Sequence, residues 1–422
     1  MNRVLLFMRS NKSFIKLINI FNFIFLSFYI FTLMAFSERS GINIVTYVAM
    51  ILLLITVALK SVQEKRFIFD YRSVIFIIFI LIIFISTLLG TKTFKMIKTT
   101  ILLLGSLLIV FNSSLFFKKR TTFFYAFLIA SFLFSLYFLI VYWKTIISFN
   151  IGRLGGYFGN ENATGLNFFF AFSFCVFIAA FSKRKYFYAP SIYFLLLSLT
   201  SGSVKVIVSI LIFLLIVFYF RFYDKKIFFL IFVFGLLSLF FLFLLIPGLE
   251  TIKSRFISTF ASLFSNSANG GSTYARSTYF NVAMDMGFEK PFLGNGFNSF
   301  AKYSGFGTYS HSNFSQLFCE YGIMGLVCFY LIFVVLAVYA SRTKTALKKA
   351  IIYSFIAIHI FYSFTMVFYY DKILYVLFGF LFSLVPDNTI SWNIFSKPNF
   401  VKIKQAFEYG IVSEKSFYNI SI

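Results

Sequence analysis

Apolar runs long enough to cross a lipid bilayer recur along almost the whole of this 422-residue chain, and they limit what it can become. They lie near 15–36, 42–59, 73–90, 96–112, 121–142, 163–182, 186–201, 203–220, 227–246, 313–340, 346–368 and 372–386. Crossing the hydrocarbon takes about 20 residues of helix. In lipid only helices and closed barrels satisfy every backbone N–H and C=O, and runs of this length read as helices. Composition agrees. The chain is 60% hydrophobic and 12% charged, with 69 Phe, whereas about a quarter of a soluble domain is charged. The expected class is all-α: a polytopic integral membrane protein of about 12 transmembrane helices, with one large external loop late in the chain.

A net charge of +25 could suit nucleic acid, but the Lys and Arg residues fall in short clusters between apolar runs. That placement speaks for membrane topology, and no nucleic-acid partner is expected. The segments 1–16, 60–72, 118–120, 183–185, 221–226, 342–349 and 387–422 hold 25 of the 38 basic residues, in every second loop. Positive charge marks the cytoplasmic side, so both termini are expected there. The first run is longer than a secretory h-region and reads as an uncleaved span. The chain then divides into a membrane bundle over 1–246 (nine spans), a large external loop over 247–312, three further spans over 313–386 and a cytoplasmic tail over 387–422. The tail is expected to be partly disordered or to lie against the membrane surface. The sequence "SLTSGSVKV" between the seventh and eighth runs is either a very short external turn or a re-entrant break. Cys175, Cys319 and Cys328 sit in apolar or membrane-edge context with no Cys–Cys or Cys–His spacing. They read as small core residues, with no disulfide or metal role.

Polar chemistry gathers outside the spans. In the long loop, Ser272 or Thr273 can cap a helix over 274–287 that sets Arg276, Tyr279, Ala283 and Met286 near one face. Pro291, Gly294 and Gly296 in "EKPFLGNGFNSF" then mark a turn. A loop of this size builds little core of its own, so it is expected to pack on the bundle and roof a cavity. An earlier external stretch, 143–162, sets Arg153 among glycines and ends with Asn160, Glu161 and Asn162, able to cap the next span. The segment "TYSHSNFSQLFCEYGIMG" carries one of only two histidines. If a helix starts near His311, that residue shares a face with Ser315. Asn313, Gln316 and Glu320 form another face at spacings of three and four, expected to look into the bundle or a wet cavity. Gly322 and Gly325 would allow close helix packing. His359 has no motif around it and reads as structural.

Four of these segments, in order between about 150 and 330, together resemble the bacterial O-antigen ligase / O-antigen and capsular polysaccharide polymerase family. They are "RLGGYFGNEN", with Glu161 where proline is usual, and "TSGSVKVIVS", with Val204 where arginine is usual. "YARSTYFNVAMDMGFEKPFLGNGFNSF" and "HSNFSQLFCEYGIMGL" follow. The resemblance implies a metal-independent glycosyltransferase with no cofactor, at the outer face of the bacterial cytoplasmic membrane. It would use a polyprenyl-diphosphate-linked glycan as donor and, in a polymerase, a second lipid-linked repeat unit as acceptor. The bilayer is then a partner, and a chain-length regulator is a candidate one. Arg276 and Arg153, with Arg255 and Lys205 behind them, are the expected diphosphate-binding groups, because a guanidinium stays charged and fits phosphate oxygens. His311 is the expected base or acceptor-positioning group, with Arg276 beside it in the catalytic set. Asn313, Gln316, Glu320 and Glu161 are expected to bind or position sugar hydroxyls. The alternatives are a ligase that transfers the glycan to lipid A core and, in another class, a lipid-linked oligosaccharide flippase. A flippase should carry cations deep along its spans, and this chain has almost none there.

Overall fold

The computed structural model describes residues 12–36, 43–64, 66–70, 74–92, 95–116, 121–147, 154–182, 184–222, 272–384 and 389–393, with fragments of 227–235. The apolar runs form α1 (Lys12–Phe36), α2 (Asn43–Glu64), α3 (Val74–Leu89), α4 (Lys95–Phe116), α5 (Thr121–Ile147), α6 (Glu161–Phe181), α7 (Tyr188–Leu199) and α8 (Val204–Phe222). Two helices of the late loop follow, α9 (Ser272–Glu289) and α10 (Ser299–Tyr303), and then α11 (Asn313–Arg342), α12 (Ala346–Ser363) and α13 (Lys372–Leu384). Among the described residues, seven helices (α1, α2, α5, α6, α8, α11 and α12) are long and apolar enough to cross a membrane. The helix α3, the 102–115 part of α4 and α13 are shorter apolar helices. The chain is therefore a polytopic α-helical membrane protein. The run at 227–246 lies almost wholly outside the described residues, as do 247–271.

The helix α3 reads "VIFIIFILIIFISTLL". In water such Ile- and Phe-rich sequence favours strands. In lipid an unpaired strand has no partners for its backbone, so the helix is the only open form left. The centre of the bundle is α6, buried along most of its length, together with α13, in which twelve residues from Ile373 to Leu384 are buried. The helix α6 packs on α5, α7 and α8, and α13 packs on α4. Phe380 of α13 stacks on Phe123 of α5 at 4.1 Å and meets Phe174 of α6 edge-on. Large apolar side chains such as Ile20, Leu54, Leu81 and Val334 point outward, where lipid would cover them. A buried polar cluster joins α1, α2 and α4. Asn22 Nδ2 donates to Ser113 Oγ at 2.8 Å, and Thr56 Oγ1 donates to Asn22 Oδ1 at 3.2 Å.

Two features depart from the sequence expectation. First, Thr389–Asn393 of the tail is a strand (β2), paired antiparallel with Arg66–Asp70 (β1), with Arg66 opposite Asn393. These belong to two segments that the charge pattern assigned to one side. The rest of the tail, 394–422, lies outside the described residues. Second, α7 has only 12 residues, a rise of about 18 Å against a hydrocarbon core of about 30 Å. It is followed directly by the turn 200–203.

The long helix α11 is broken at Gly322, whose backbone is non-helical (φ 62, ψ −163). A helix break releases carbonyls before it and N–H groups after it, and burial in protein keeps water from them. The loop 291–296 supplies the partners. Asn295 N donates to Cys319 O at 2.9 Å and Gly296 N to Glu320 O at 2.8 Å. In return, Ile323 N donates to Pro291 O at 2.7 Å and Met324 N to Phe292 O at 3.3 Å. Ser86 Oγ of α3 adds a third donor, to Glu320 O at 2.7 Å. Backbone lies directly on backbone here. A Cβ on Gly294 would fall 2.4 Å from Glu320 C, and one on Gly322 would fall 2.4 Å from Phe292 C. The glycine at 322 was expected to bring helices together; it breaks one helix and admits a loop instead. Replacing Gly294 or Gly322 by Ala should each cost more than about 2 kcal/mol, because both carry φ > 0 and both are sterically closed. Gly305→Ala, at φ 79 with no atom within 4 Å, should cost about 1 kcal/mol. Melting temperatures of the three variants in detergent check this order.

Candidate functional site

The loop that fills the break also fixes α9. Ala283 of α9, Phe300 of α10 and Cys319 of α11 form a small buried cluster, with Tyr279, Val282 and Met286 packed against it. Phe288 meets Phe318 at 5.1 Å. The helical face expected from spacing is thus real for Tyr279, Ala283 and Met286, and it turns onto the first turns of α11. Arg276 sits one turn further out and is exposed. The helix is described from Ser272, two residues before the expected start at 274.

His311 stands where this layer meets the start of α11. The helix begins at Asn313, with Ser312 as its N-cap accepting from Ser315 N at 3.4 Å. His311 is outside the helix, in the left-handed region at φ 60. The face it was expected to share with Ser315 therefore does not form. That backbone conformation costs a non-glycine residue about 1–2 kcal/mol, and neighbouring hydrogen bonds hold it. Ser310 N donates to Gln316 Oε1 at 2.7 Å, Ser310 Oγ donates to the Ser312 carbonyl at 2.9 Å, and Ser315 Oγ donates to Ser310 Oγ at 3.1 Å. The imidazole lies beside Tyr309 at 4.4 Å and is stacked on Tyr279 at 5.8 Å and 15°.

Burial lowers the His311 pKa to about 4, and the positive charges of Arg276 and Lys205 push in the same direction. The ring is therefore neutral at physiological pH. The same electrostatics place Arg276 and Lys205 around it. Lys205, in the first turn of α8, donates to the Thr365 carbonyl just past the end of α12. Two residues away, the Ser363 carbonyl accepts from Ser312 Oγ at 3.0 Å. The starts of α8 and α11, the end of α12 and the outer end of α9 thus converge. Ser203, two residues before Lys205, has a buried hydroxyl with no hydrogen-bond partner among the described residues.

The glycine-rich turn before α6 joins this end of the bundle. Leu154 N donates to Thr200 O at 3.1 Å, and a Cβ on Gly165 would fall 2.4 Å from Ser201 Oγ. Asn160 caps α6, accepting from Asn162 N at 2.8 Å, and Glu161 is the first helical residue. Arg153 and Arg255 lie outside the described residues.

Asn313, Gln316 and Glu320 do share a face, and it looks into protein. All three are buried. Asn313 Oδ1 accepts from Phe368 N at 3.1 Å and Tyr369 N at 3.0 Å. Gln316 Nε2 donates to Glu320 Oε1 at 2.6 Å, and Tyr369 OH donates to Glu320 Oε2. Their polar atoms tie α11 to the 364–371 loop, which sequence reading left without a role. Tyr309 was also missed, although it stands two residues from His311. His359 is buried within α12, its Nδ1 2.8 Å from Phe355 O, among Phe170, Phe333 and Phe368. Among the described residues, no three or more His, Cys, Asp or Glu side chains group as a metal site.

Fold and site together define a multi-span α-helical membrane protein whose cations and histidine gather at one end of the bundle. Residues 186–330 match the family model described as O-antigen ligase. This match bears out the family that the motifs resemble, over a segment that includes Lys205, Arg276 and His311. No curated protein matches the chain.

The depressed His311 pKa has a direct readout. Diethyl pyrocarbonate acylates only neutral imidazole, so the His311 rate should stay flat from pH 7.5 to 5 and fall with a midpoint near 4. Arg276→Gln removes a like charge and should move that midpoint upward. Peptide mass spectrometry gives the rate and separates His311 from buried His359. A wild-type midpoint near 6.5, the ordinary value of an imidazole, would refute the electrostatic placement.

Proposed function

We propose that the protein is a bacterial membrane glycosyltransferase that polymerises polyprenyl-diphosphate-linked repeat units of O-antigen or capsule at the outer face of the cytoplasmic membrane. The observation that carries this reading is the convergence of His311, Arg276 and Lys205 where the starts of α8 and α11 meet α9 and the end of α12, within the segment that matches the family model described as O-antigen ligase. An acceptor sugar hydroxyl attacks the anomeric carbon of the donor glycan. The new C–O bond forms as the bond from that carbon to the diphosphate oxygen breaks. His311 takes the hydroxyl proton, and Arg276 and Lys205 offset the charge that develops on the departing diphosphate. Arg153 and Arg255 are further diphosphate-binding groups in this reading, and Glu161 a sugar-positioning one. Asn313, Gln316 and Glu320 act by holding the start of α11. The donor carries its own leaving group, so the scheme needs no metal or cofactor.

The topology proposed with it has twelve spans, both termini in the cytoplasm and the segment 247–312 outside. Pairing of β1 with β2 supports it by joining two segments that the charge pattern put on one side. The second reading is ligation onto lipid A core, favoured by the description of the matched family. Gathering of the charged groups at one end of the bundle counts against a flippase.

Purified protein supplied with polyprenyl-diphosphate repeat units, and no nucleotide sugar, should give a ladder of lengthening glycans. Arg276→Ala should slow it by at least about a hundredfold, and His311→Gln by a comparable or larger factor, at least about a hundredfold. Product that appears only when lipid A core is added would establish the ligase instead. Full activity of His311→Gln would remove proton abstraction from the scheme.

A further inference from the structure

A groove of about 610 Å³ opens between α5 and α7, at the opposite end of the bundle from His311. Its walls include Leu128, Ile129 and Phe132 of α5 and Pro190 and Tyr193 of α7, with Cys175 of α6 also lining it. The volume falls within the range of about 300–1,000 Å³ typical of small-molecule sites. We propose that it binds one anionic phospholipid, with an acyl chain in the groove and the phosphate at Arg184 and Lys185.

Depth argues for a lipid of one leaflet. The groove residues of α5 run from Tyr125 to Phe132, in a helix that starts at Thr121. That places the far wall about 16 Å along the helix, close to half of a hydrocarbon core of about 30 Å. A chain anchored at the near end fills the groove within its own half of the bilayer. The short α7 and the turn before it shape the mouth. Phe187, from that turn, packs on Tyr125 with ring centroids 6.1 Å apart.

Charge argues for an anionic headgroup. Arg184 donates through Nη1 to the hydroxyl of Tyr125, itself a groove residue, so the guanidinium is held at the mouth. That bond uses one of five N–H donors, and the rest suit phosphate oxygens. Lys185 follows directly, and both side chains are exposed. Among the described residues the ion pair present is Lys60–Glu64, and neither Arg184 nor Lys185 has a carboxylate partner. The cations and the apolar groove are thus arranged as the two halves of one amphiphile require. The site is separate from the glycan chemistry and stands whether or not that reading holds.

Native mass spectrometry of the full-length protein in mild detergent tests it, with phosphatidylglycerol and phosphatidylcholine of identical chains as probes. Wild type should bind phosphatidylglycerol more tightly. Arg184→Gln and Lys185→Gln should each weaken that binding about fivefold, taking about 1 kcal/mol per cation near the lipid surface, and leave phosphatidylcholine unchanged. Ile129→Trp, at an exposed position, fills the groove and should weaken both lipids. Lys344→Gln, at a basic cluster elsewhere, should change neither. Equal binding of the two lipids by wild type, indifference to Ile129→Trp, or an equal loss in Lys344→Gln would each overturn the proposal.

Discussion

The backbone exchange across the break in α11 is the constraint from which the site follows. A helix interrupted where protein buries it survives only when other protein atoms take over its hydrogen bonds. Here the 291–296 loop both gives and receives them, and α3 contributes a side-chain donor. Once that loop is seated, α9 has little choice of position. Its apolar face closes on Phe318 and Cys319, and its next turn carries Tyr279 and Arg276 up to the imidazole. The two glycine motifs that frame the site in sequence are therefore one object in space. The residues past the break, 323–342, amount to about 30 Å of helix, enough to cross the hydrocarbon unaided. The turns before it are left to build the site.

Electrostatics at His311 follow from the same assembly. Arg276 arrives on α9 and Lys205 on α8, so two cations on separate elements act on one half-buried ring. Neither is placed by its sequence distance from the histidine. Burial lowers the His311 pKa most, and the two cations act in the same direction, so the imidazole is neutral at neutral pH. The same positive field suits a dianionic leaving group, so one charge arrangement serves both ends of the proposed reaction.

Much of this was legible in the sequence because lipid is a strict solvent. Apolar length and the absence of internal breakers located nearly every described helix to within a few residues, and the periodicity of "YARSTYFNVAMDM" found the buried face of α9. Legibility stopped where a residue's partner lay elsewhere in the chain. The spacing of Asn313, Gln316 and Glu320 says that they share a face. It does not say that the face meets the 364–371 loop, whose sequence "FTMVFYYD" carries no polar signal beyond Thr365, its tyrosines and its last residue. Gly322 announced close approach, but helix, loop and ligand are all things that approach a glycine. The left-handed backbone at His311 had no local cue, because it is imposed by Ser310, Ser312 and Gln316 acting together.

The small ribbon of β1 and β2 has a consequence that reaches beyond its ten residues. In the proposed topology an even number of spans separates Asp70 from Thr389, so both strands fall in one compartment and can pair. A bundle that skipped one span, or inserted one too many, would strand its last segment across the bilayer from its mate. The ribbon therefore acts as a parity check on insertion. On that topology it closes only on a chain threaded with an even count, and it joins Arg66–Asp70 to the segment after the last helix, with the whole site enclosed in the circuit between them.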